Sequence, residues 1–251
     1  MKTESSNDNK ELFSVDYIFG KQVQLKQLKT GYRFGSDAVL LASYIRADNG
    51  DLLDLGAGVG AVSLGIAWRY PKCKITAVEK DPEIAKLLRE NVIRNDLSNQ
   101  VVVEQSSIED LPSSFVSKFD HVMANPPFHK MTGTRSRNSH RNLAHMGDGL
   151  TLVDWLGKAI WACKPKGYVS FMLRADRADE AVYILHNNKM GEITLFPIWR
   201  VQGTPANRII VTAKKESKTG CIILPGITLH NLDGSLTSNA TLAMKGQGIE
   251  R

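Results

Sequence analysis

A run of alternating glycines constrains the fold of this 251-residue chain more than any other feature. Gly56, Gly58 and Gly60 follow a short apolar stretch typical of a buried strand. Residues 62–70 then show the spacing of a helix. Glycines between a strand and a helix let the backbone turn tightly and approach a ligand, and the start of the helix offers free N–H groups. The sequence therefore predicts a ligand-binding loop at residues 54–60, here called the glycine loop.

Apolar strands alternate with helical segments along the rest of the chain. Pro82 favours a helix that begins at Asp81, and Pro165 follows another that begins at Leu150. Such alternation is typical of an α/β fold, in which a mainly parallel sheet has helices on both faces and binds ligands beyond the carboxyl ends of its strands. We expect seven strands, at residues 51–55, 74–78, 101–103, 119–124, 168–173, 192–199 and 208–213.

The length of the chain allows one or two domains. Residues 1–14 are polar, and we expect a disordered tail there. Residues 15–48 are predicted to form a strand and helix extension, and residues 49–251 a single α/β domain. Within that domain, we expect residues 220–251 to form an irregular tail with one more strand.

Composition excludes several classes of protein. No apolar run approaches the roughly 18 residues of a membrane helix, and the polar first residues do not resemble a secretory signal. The 3 cysteines are an odd number and are scattered, which argues against a disulfide framework and against a zinc site. We therefore expect a cytoplasmic protein with reduced thiols, no membrane partner and no metal.

Basic charge is concentrated in one stretch of a chain whose formal net charge is +6. Residues 129–146 contain no acidic residue, little apolar content and many hydroxyl groups, and they are interpreted as a long loop. This loop is either a solvated surface segment or an arm that contacts the phosphates of a nucleic acid. The second interpretation assigns a phosphate-binding role on a nucleic acid to its four cations, Lys130, Arg135, Arg137 and Arg141.

Further candidate ligand contacts follow the next two strands. Glu79 ends the second strand, where a carboxylate can accept hydrogen bonds from both hydroxyls of a ribose. Ser107 and Ile108 follow the third strand, where a polar group and an apolar side chain can border an adenine ring. These residues and the glycine loop fit both a dinucleotide and S-adenosylmethionine.

Asp54 and the segment Asn125-Pro126-Pro127-Phe128 favour S-adenosylmethionine. A carboxylate before the glycines suits a ligand with a cationic amino-acid end better than a pyrophosphate. The Asn125 side-chain oxygen and the Pro126 carbonyl can accept the two hydrogens of an aromatic amine, which aims its lone pair at a methyl donor. Pro127 stiffens the loop, and Phe128 offers a face on which a base can stack.

At these residues the sequence resembles the class I S-adenosylmethionine-dependent methyltransferases of the small-domain branch. The glycine loop, Glu79 and residues 125–128 match the motifs of that branch. The segments Gly31-Tyr32-Arg33-Phe34 to Ala42 and Leu229-His230-Asn231-Leu232-Asp233-Gly234 to Thr237 resemble the tRNA(Val) adenine-N6 methyltransferase family. The resemblance covers about residues 15–245, and it implies a Rossmann-like seven-stranded methyltransferase sheet.

The resemblance also implies a function and a set of site residues. Methyl transfer from S-adenosylmethionine to adenine N6 in tRNA is implied, with Asn125, Pro126, Pro127 and Phe128 holding the base. The cofactor-binding residues are Asp54, Gly56, Gly58, Gly60, Glu79, Ser107 and Ile108. Ser107 departs from the family pattern, because many relatives have an Asp at this position. A serine can still form a hydrogen bond with an adenine amine, but a weaker one than an Asp.

Other functions remain open at this point. Because His129 follows Phe128, the segment also looks like that of the ribosomal RNA guanine-N2 methyltransferases, which usually carry a second domain. The same chemistry would serve DNA adenine or protein glutamine, although glutamine methyltransferases usually have Tyr in place of Phe128. A non-catalytic cofactor- or RNA-binding module and an NAD-dependent oxidoreductase are the remaining alternatives. The sequence does not predict an oligomeric state.

Overall fold

The computed structural model describes residues 12–30, 33–127 and 149–250. The α/β class predicted above is confirmed, and all seven predicted strands are present as β3 to β9. The strands are β1 (Phe13–Ile18), β2 (Val23–Leu28), β3 (Gly50–Leu55), β4 (Cys73–Glu79), β5 (Val101–Gln105), β6 (Phe119–Ala124), β7 (Cys163–Arg174), β8 (Met190–Val201), β9 (Arg208–Lys215), β10 (Ile222–Ile223) and β11 (Ile227–His230). The helices are α1 (Ser36–Tyr44), α2 (Ala61–Arg69), α3 (Pro82–Arg94), α4 (Leu152–Ala162), α5 (Ala178–Asn187) and α6 (Ser238–Met244).

The chain divides into two compact units, Met1–Ser107 with Ser238–Glu250, and Ile108–Thr237. In the first unit, β3, β4 and β5 are parallel neighbours, with β4 in the middle. The inner positions of β3 and β4 are buried, and all of them except Asp54 are apolar, as expected for strands covered on both faces. Helix α3 begins as predicted, because the Asp81 side chain accepts hydrogen bonds from two backbone amides of its first turn, and Pro82 follows.

A β1–β2 hairpin is attached to α3 by two asparagines. The Asn91 amide donates to the Lys26 carbonyl and accepts from the Lys26 N–H, at 2.9 and 2.8 Å. Asn95, one helical turn later, makes the same pair of bonds with Gln24, at 2.7 and 2.8 Å. Because Gln24 and Lys26 lie on the same edge of β2, the two side-chain amides replace a neighbouring strand and satisfy that edge.

The second unit has a mixed sheet. Strand β6 is parallel to β7, β7 is antiparallel to β9, and β9 is antiparallel to β8. The short strands β10 and β11 both pair in parallel with β8. Helix α4 begins with a capping box between Thr151 and Asp154, which satisfies two of the backbone groups at the helix start. The carboxyl ends of β6, β7 and β8 therefore lie at one edge, and β9 begins there.

Three polar side chains cross the centre of this mixed sheet. The His121 Nε2 atom lies 2.8 Å from the Ser170 hydroxyl, which lies 2.7 Å from the Thr212 hydroxyl. All three side chains are buried, on β6, β7 and β9 in turn. Hydrogen bonding among them offsets the cost of burying polar groups, so His121 has a structural role in the strand.

Some predicted boundaries were wrong. Strand β7 begins at Cys163, where the sequence suggested the end of a helix and a turn through Gly167. A shift of register between β6 and β7 accommodates the extra residues, and Lys166 takes a left-handed backbone conformation there. The end of the chain is also more regular than expected, since residues 220–251 contain β10, β11 and α6.

In the three described ranges, no helix has both the length and the apolar character needed to cross a bilayer. The predicted domain boundaries at residues 14 and 48 stay predictions.

Candidate functional site

The glycine loop takes a backbone conformation that side chains disfavour. Gly56, Gly58 and Gly60 all have positive φ angles, of 68°, 57° and 98°. The Ala57 N–H donates to the Val78 carbonyl of β4 at 2.8 Å, which holds the loop against the next strand. Three of the five residues 56–60 therefore have a left-handed backbone conformation. Glycines alternate here because any other residue has a steric cost in that conformation.

Glu79 is joined to the glycine loop. One carboxylate oxygen, Oε2, accepts the Gly58 N–H at 2.9 Å, and the other, Oε1, accepts the Asp81 N–H at 2.9 Å. A carboxylate oxygen can accept two hydrogen bonds, so each oxygen keeps capacity for a further donor. The structure thus brings Glu79 and the glycine loop together. Each carboxylate oxygen of Glu79 can accept one more hydrogen bond, which fits the two ribose hydroxyls that this residue is predicted to bind.

Asp54 is buried at the end of β3, with 1% of its surface exposed. Its Oδ2 atom accepts the Ser63 hydroxyl of α2 at 2.5 Å. Burial raises the pKa of Asp54 from 3.8 to about 7; the Ser63 hydrogen bonds lower it, and the Glu79 carboxylate raises it a little. A buried carboxylate of this kind is stabilised in its charged form by a nearby cation, so the site suits a ligand that carries an ammonium group.

Ser107 and Ile108 follow β5 as predicted. Glu79 is paired with Gln105 in the sheet, and the Ser106 N–H donates to the Glu79 carbonyl at 3.2 Å. Ser107 is therefore two residues beyond the level of Glu79, at the same carboxyl edge of the first unit. Ile108 is buried and is the first residue of the second unit.

Two glycines of the loop differ in the space around them. A β-carbon built at Gly58 meets no atom of the described residues within 4 Å, whereas one built at Gly60 would clash with the methyl groups of Leu64 and Leu88. Gly60 is therefore required for packing against α2 and α3. Gly58 borders open space, and a ligand that approaches the backbone there would fill it.

This difference predicts that one alanine substitution mainly lowers stability and the other mainly weakens ligand binding. Gly60→Ala is expected to lower the free energy of unfolding by about 2 kcal/mol, because strain and overpacking add. Gly58→Ala is expected to cost about 1 kcal/mol of stability, from backbone strain alone. It should nevertheless weaken binding of S-adenosylhomocysteine more than Gly60→Ala does. Urea unfolding and titration calorimetry on both variants check this, and equal effects on binding would contradict it.

Asn125 lies directly after β6 in the second unit. Its side-chain oxygen, Oδ1, is buried and has no hydrogen-bond partner among the residues that the structure describes. Pro126, which follows, is buried as well. A buried acceptor without a donor costs about 1–3 kcal/mol, so such atoms call for a functional explanation.

Several predicted site residues fall outside the described residues. They are Phe128, Lys130, Arg135, Arg137 and Arg141. The stacking role of the first and the phosphate contacts of the other four stay predictions.

Sequence reasoning missed two residues that support the glycine loop. Ser63 supplies the hydroxyl bond to Asp54, and Asn91 donates to the Val59 carbonyl at 2.9 Å while it holds β2. A hydroxyl in the otherwise apolar first turns of α2 was the available signal for Ser63. For Asn91 the signal was the spacing of four residues to Asn95 in a helix whose other inward positions are apolar.

Comparison with known proteins agrees with this geometry. Residues 32–151 match the family model described as "Methyltransferase small domain". A tRNA1(Val) (adenine(37)-N6)-methyltransferase of Mannheimia succiniciproducens is 31% identical over 66% of this chain and 68% of its own length. A protein of the same name from Shewanella baltica is 29% identical over 86% of this chain and 92% of its own length.

Solved structures show the same fold. A predicted O-methyltransferase from Agrobacterium tumefaciens superposes with a TM-score of 0.70 at 23% identity, over 85% of this chain and 98% of its own. The 16S rRNA N2 G1207 methyltransferase of T. thermophilus, solved with AdoMet and guanosine, gives 0.58 at 20% identity, over 81% of this chain and 50% of its own.

The family model and the named relatives assign the chain to the class of S-adenosylmethionine-dependent methyltransferases, and the α/β fold, the glycine loop and the acidic residue bonded to it agree with that class. Within that class, the chain belongs to the small-domain family of N-methyltransferases, together with the tRNA1(Val) (adenine(37)-N6)-methyltransferases to which it is similar. The resemblance derived from residues 54–60, 79 and 125–128 is thereby confirmed at the level of the family.

Proposed function

We propose that this chain transfers a methyl group from S-adenosylmethionine to the N6 amine of an adenine in tRNA. The observation that carries the proposal is the buried Oδ1 atom of Asn125, which has no hydrogen-bond partner among the residues that the structure describes. An exocyclic amine has two N–H donors, and one of them would satisfy this acceptor. The names of the relatives, each a tRNA1(Val) (adenine(37)-N6)-methyltransferase, support adenine and tRNA as the acceptor.

The first unit would hold the cofactor. Glu79 would accept the ribose hydroxyls, Asp54 would face the ammonium of the amino-acid end, and the backbone at Gly58 would approach the ligand closely. Ser107 and Ile108 would border the adenine ring of the cofactor. When bound, S-adenosylmethionine supplies an electrophilic methyl group on a sulfonium.

The second unit would hold the base. An aromatic amine is a poor nucleophile because its lone pair is conjugated with the ring. Asn125 Oδ1 and the Pro126 carbonyl would accept the two amine hydrogens, which favours a pyramidal nitrogen and disperses the positive charge that develops on it. The product ammonium is a strong acid and loses its proton to water, so no side chain with a tuned pKa is needed as a base.

The direct test uses the full chain with labelled S-adenosylmethionine and unmodified transcripts of tRNA and ribosomal RNA. Digestion to nucleosides should place the label in N6-methyladenosine from tRNA. Label only in N2-methylguanosine would instead establish the guanine alternative, and label only in protein would overturn the RNA substrate. Calorimetry with NAD and S-adenosylhomocysteine is expected to show binding of the second ligand alone.

A further inference from the structure

Three neighbouring strands of the second unit carry arginines at one edge. Arg174 ends β7, Arg208 begins β9, and Arg200 lies next to the last residue of β8. Arg174 is directly opposite Arg208, and Arg208 is opposite Ile198, two residues before Arg200. Since paired strands lie about 4.8 Å apart, the three residues form a row along the carboxyl edge. We call them the edge arginines.

The edge arginines differ in how far their charge is neutralised. Like charges directly opposite one another destabilise a strand pair. Arg174 is bonded to both oxygens of Asp176, at 3.0 and 2.6 Å, which offsets its charge. Arg208 donates a hydrogen bond to the Asn207 carbonyl at 3.1 Å. Arg200 is exposed, and no described residue forms a hydrogen bond or an ion pair with it. The outer end of the row therefore presents a cation to solvent.

The row starts beside the proposed base-binding loop. Ala124, the last residue of β6, is paired with Phe171, so one further residue brings Asn125 level with Met172 on β7. Arg174 is two residues further along, a rise of about 7 Å. From β6, the row crosses β7 and β9 to β8, about 15 Å away. A row of this length can follow consecutive phosphates of a strand whose base is held at Asn125.

We propose that Arg200 and Arg208 bind backbone phosphates of the RNA next to the base that is methylated. The inference rests on the proposed function, because it takes RNA as the substrate. A guanidinium binds a phosphate through two parallel hydrogen bonds, which suits positions that must fix the register of a flexible strand. Arg174, already bonded to Asp176, supports the inner end of the row.

The test compares Arg200→Gln, Arg208→Gln and the double variant with Lys218→Gln. Lys218 is an exposed cation beyond the end of β9, at the opposite edge of the same sheet, so its substitution removes the same charge. With unmodified tRNA, each edge substitution should raise KM about fivefold, and the double variant at least tenfold. The logarithmic salt dependence of RNA binding should fall by about 0.7 for each phosphate of the flexible strand that the variant no longer neutralises.

Other readouts separate RNA binding from folding and from catalysis. The kcat at saturating tRNA and the affinity for S-adenosylhomocysteine should stay at the wild-type values, and Arg200→Lys should restore only part of the affinity for tRNA, because it returns the charge but not the two parallel hydrogen bonds. Thermal unfolding identifies any variant that fails to fold, and the exposed Arg200 provides the variant least affected by that problem.

Each outcome has a distinct meaning. If the double variant keeps the KM and the salt dependence of Lys218→Gln, the inference is overturned. If the wild type methylates guanine, the adenine assignment fails, and a raised KM of the variants for that RNA still supports the edge arginines. If the wild type binds no RNA, the inference and the RNA substrate are both overturned.

Discussion

Asn125→Ala is expected to reduce kcat by at least 100-fold, which corresponds to about 2.7 kcal/mol of transition-state stabilisation. The side-chain oxygen is lost, so one of the two acceptors that reshape the amine is missing. Cofactor binding should be almost unchanged, because the residues proposed to hold the cofactor lie on β3 and β4, in the glycine loop and in the segment after β5. Single-turnover kinetics with saturating tRNA and a titration with S-adenosylhomocysteine measure the two quantities separately.

The same substitution should not destabilise the protein. Truncation of a half-buried side chain usually costs stability, but here it also removes a buried acceptor atom that lacks a donor within the described part of the chain. The free energy of unfolding of Asn125→Ala is therefore expected to equal or exceed that of the wild type by about 1 kcal/mol. A loss of activity together with unchanged or raised stability cannot be attributed to misfolding.

Asn125→Asp is the matched control, because it keeps an oxygen acceptor of the same reach. Its kcat should lie between those of the wild type and Asn125→Ala. If Asn125→Ala kept kcat within threefold of the wild type, Asn125 would not be an acceptor for the reacting amine, and the proposed mechanism would fail.

The sequence was sufficient for those features that depend on local patterns. The strand before Gly56, the proline at the start of α3 and the acidic residue at the end of β4 all lie where the pattern predicted them. Their physical causes act over a few residues: burial of an apolar run, a fixed φ angle, and the left-handed glycines.

Features that depend on distant partners could not be predicted in this way. Ser63 matters because β3 and α2 bring its hydroxyl to Asp54, and Asn91 because α3 packs against a hairpin 65 residues earlier in the chain. Arg174 is far from Arg200 and Arg208 in the sequence. The antiparallel register of β7, β9 and β8 brings the three into one row. Helix α6 is short and rich in Ser, Thr and Ala, so no apolar period marked it.

Asp54→Asn is expected to stabilise the cofactor-free protein while it weakens cofactor binding. The unfolded carboxyl loses its proton near pH 3.8, and the folded one near pH 7. Between these values the folded state binds more protons, so stability falls as the pH rises. A shift of this size corresponds to up to about 4 kcal/mol. An asparagine carries no charge, so the variant avoids this loss.

The comparison of two pH values isolates the effect. At pH 8 the variant should unfold at a temperature higher by about 10 °C, and at pH 4, where the wild-type carboxyl is protonated in the folded state, the difference should nearly vanish. Thermal unfolding of both proteins without cofactor measures this. Equal midpoints at pH 8 would mean that burial does not raise the pKa of Asp54.

Binding should respond in the opposite direction. If Asp54 faces the ammonium of S-adenosylhomocysteine, the complex favours the charged carboxylate, and the Kd of the wild type should fall about tenfold per unit from pH 5.5 to 7 and then level off. Asp54→Asn should bind about 100-fold more weakly above pH 7, without that slope. Glu79→Gln is the matched control: it removes a carboxylate that is bonded to backbone amides and proposed to bind the ribose, so it should weaken binding and keep the slope. An Asp54→Asn variant with the wild-type Kd at pH 8 would remove Asp54 from the cofactor site and leave its burial without a functional reason.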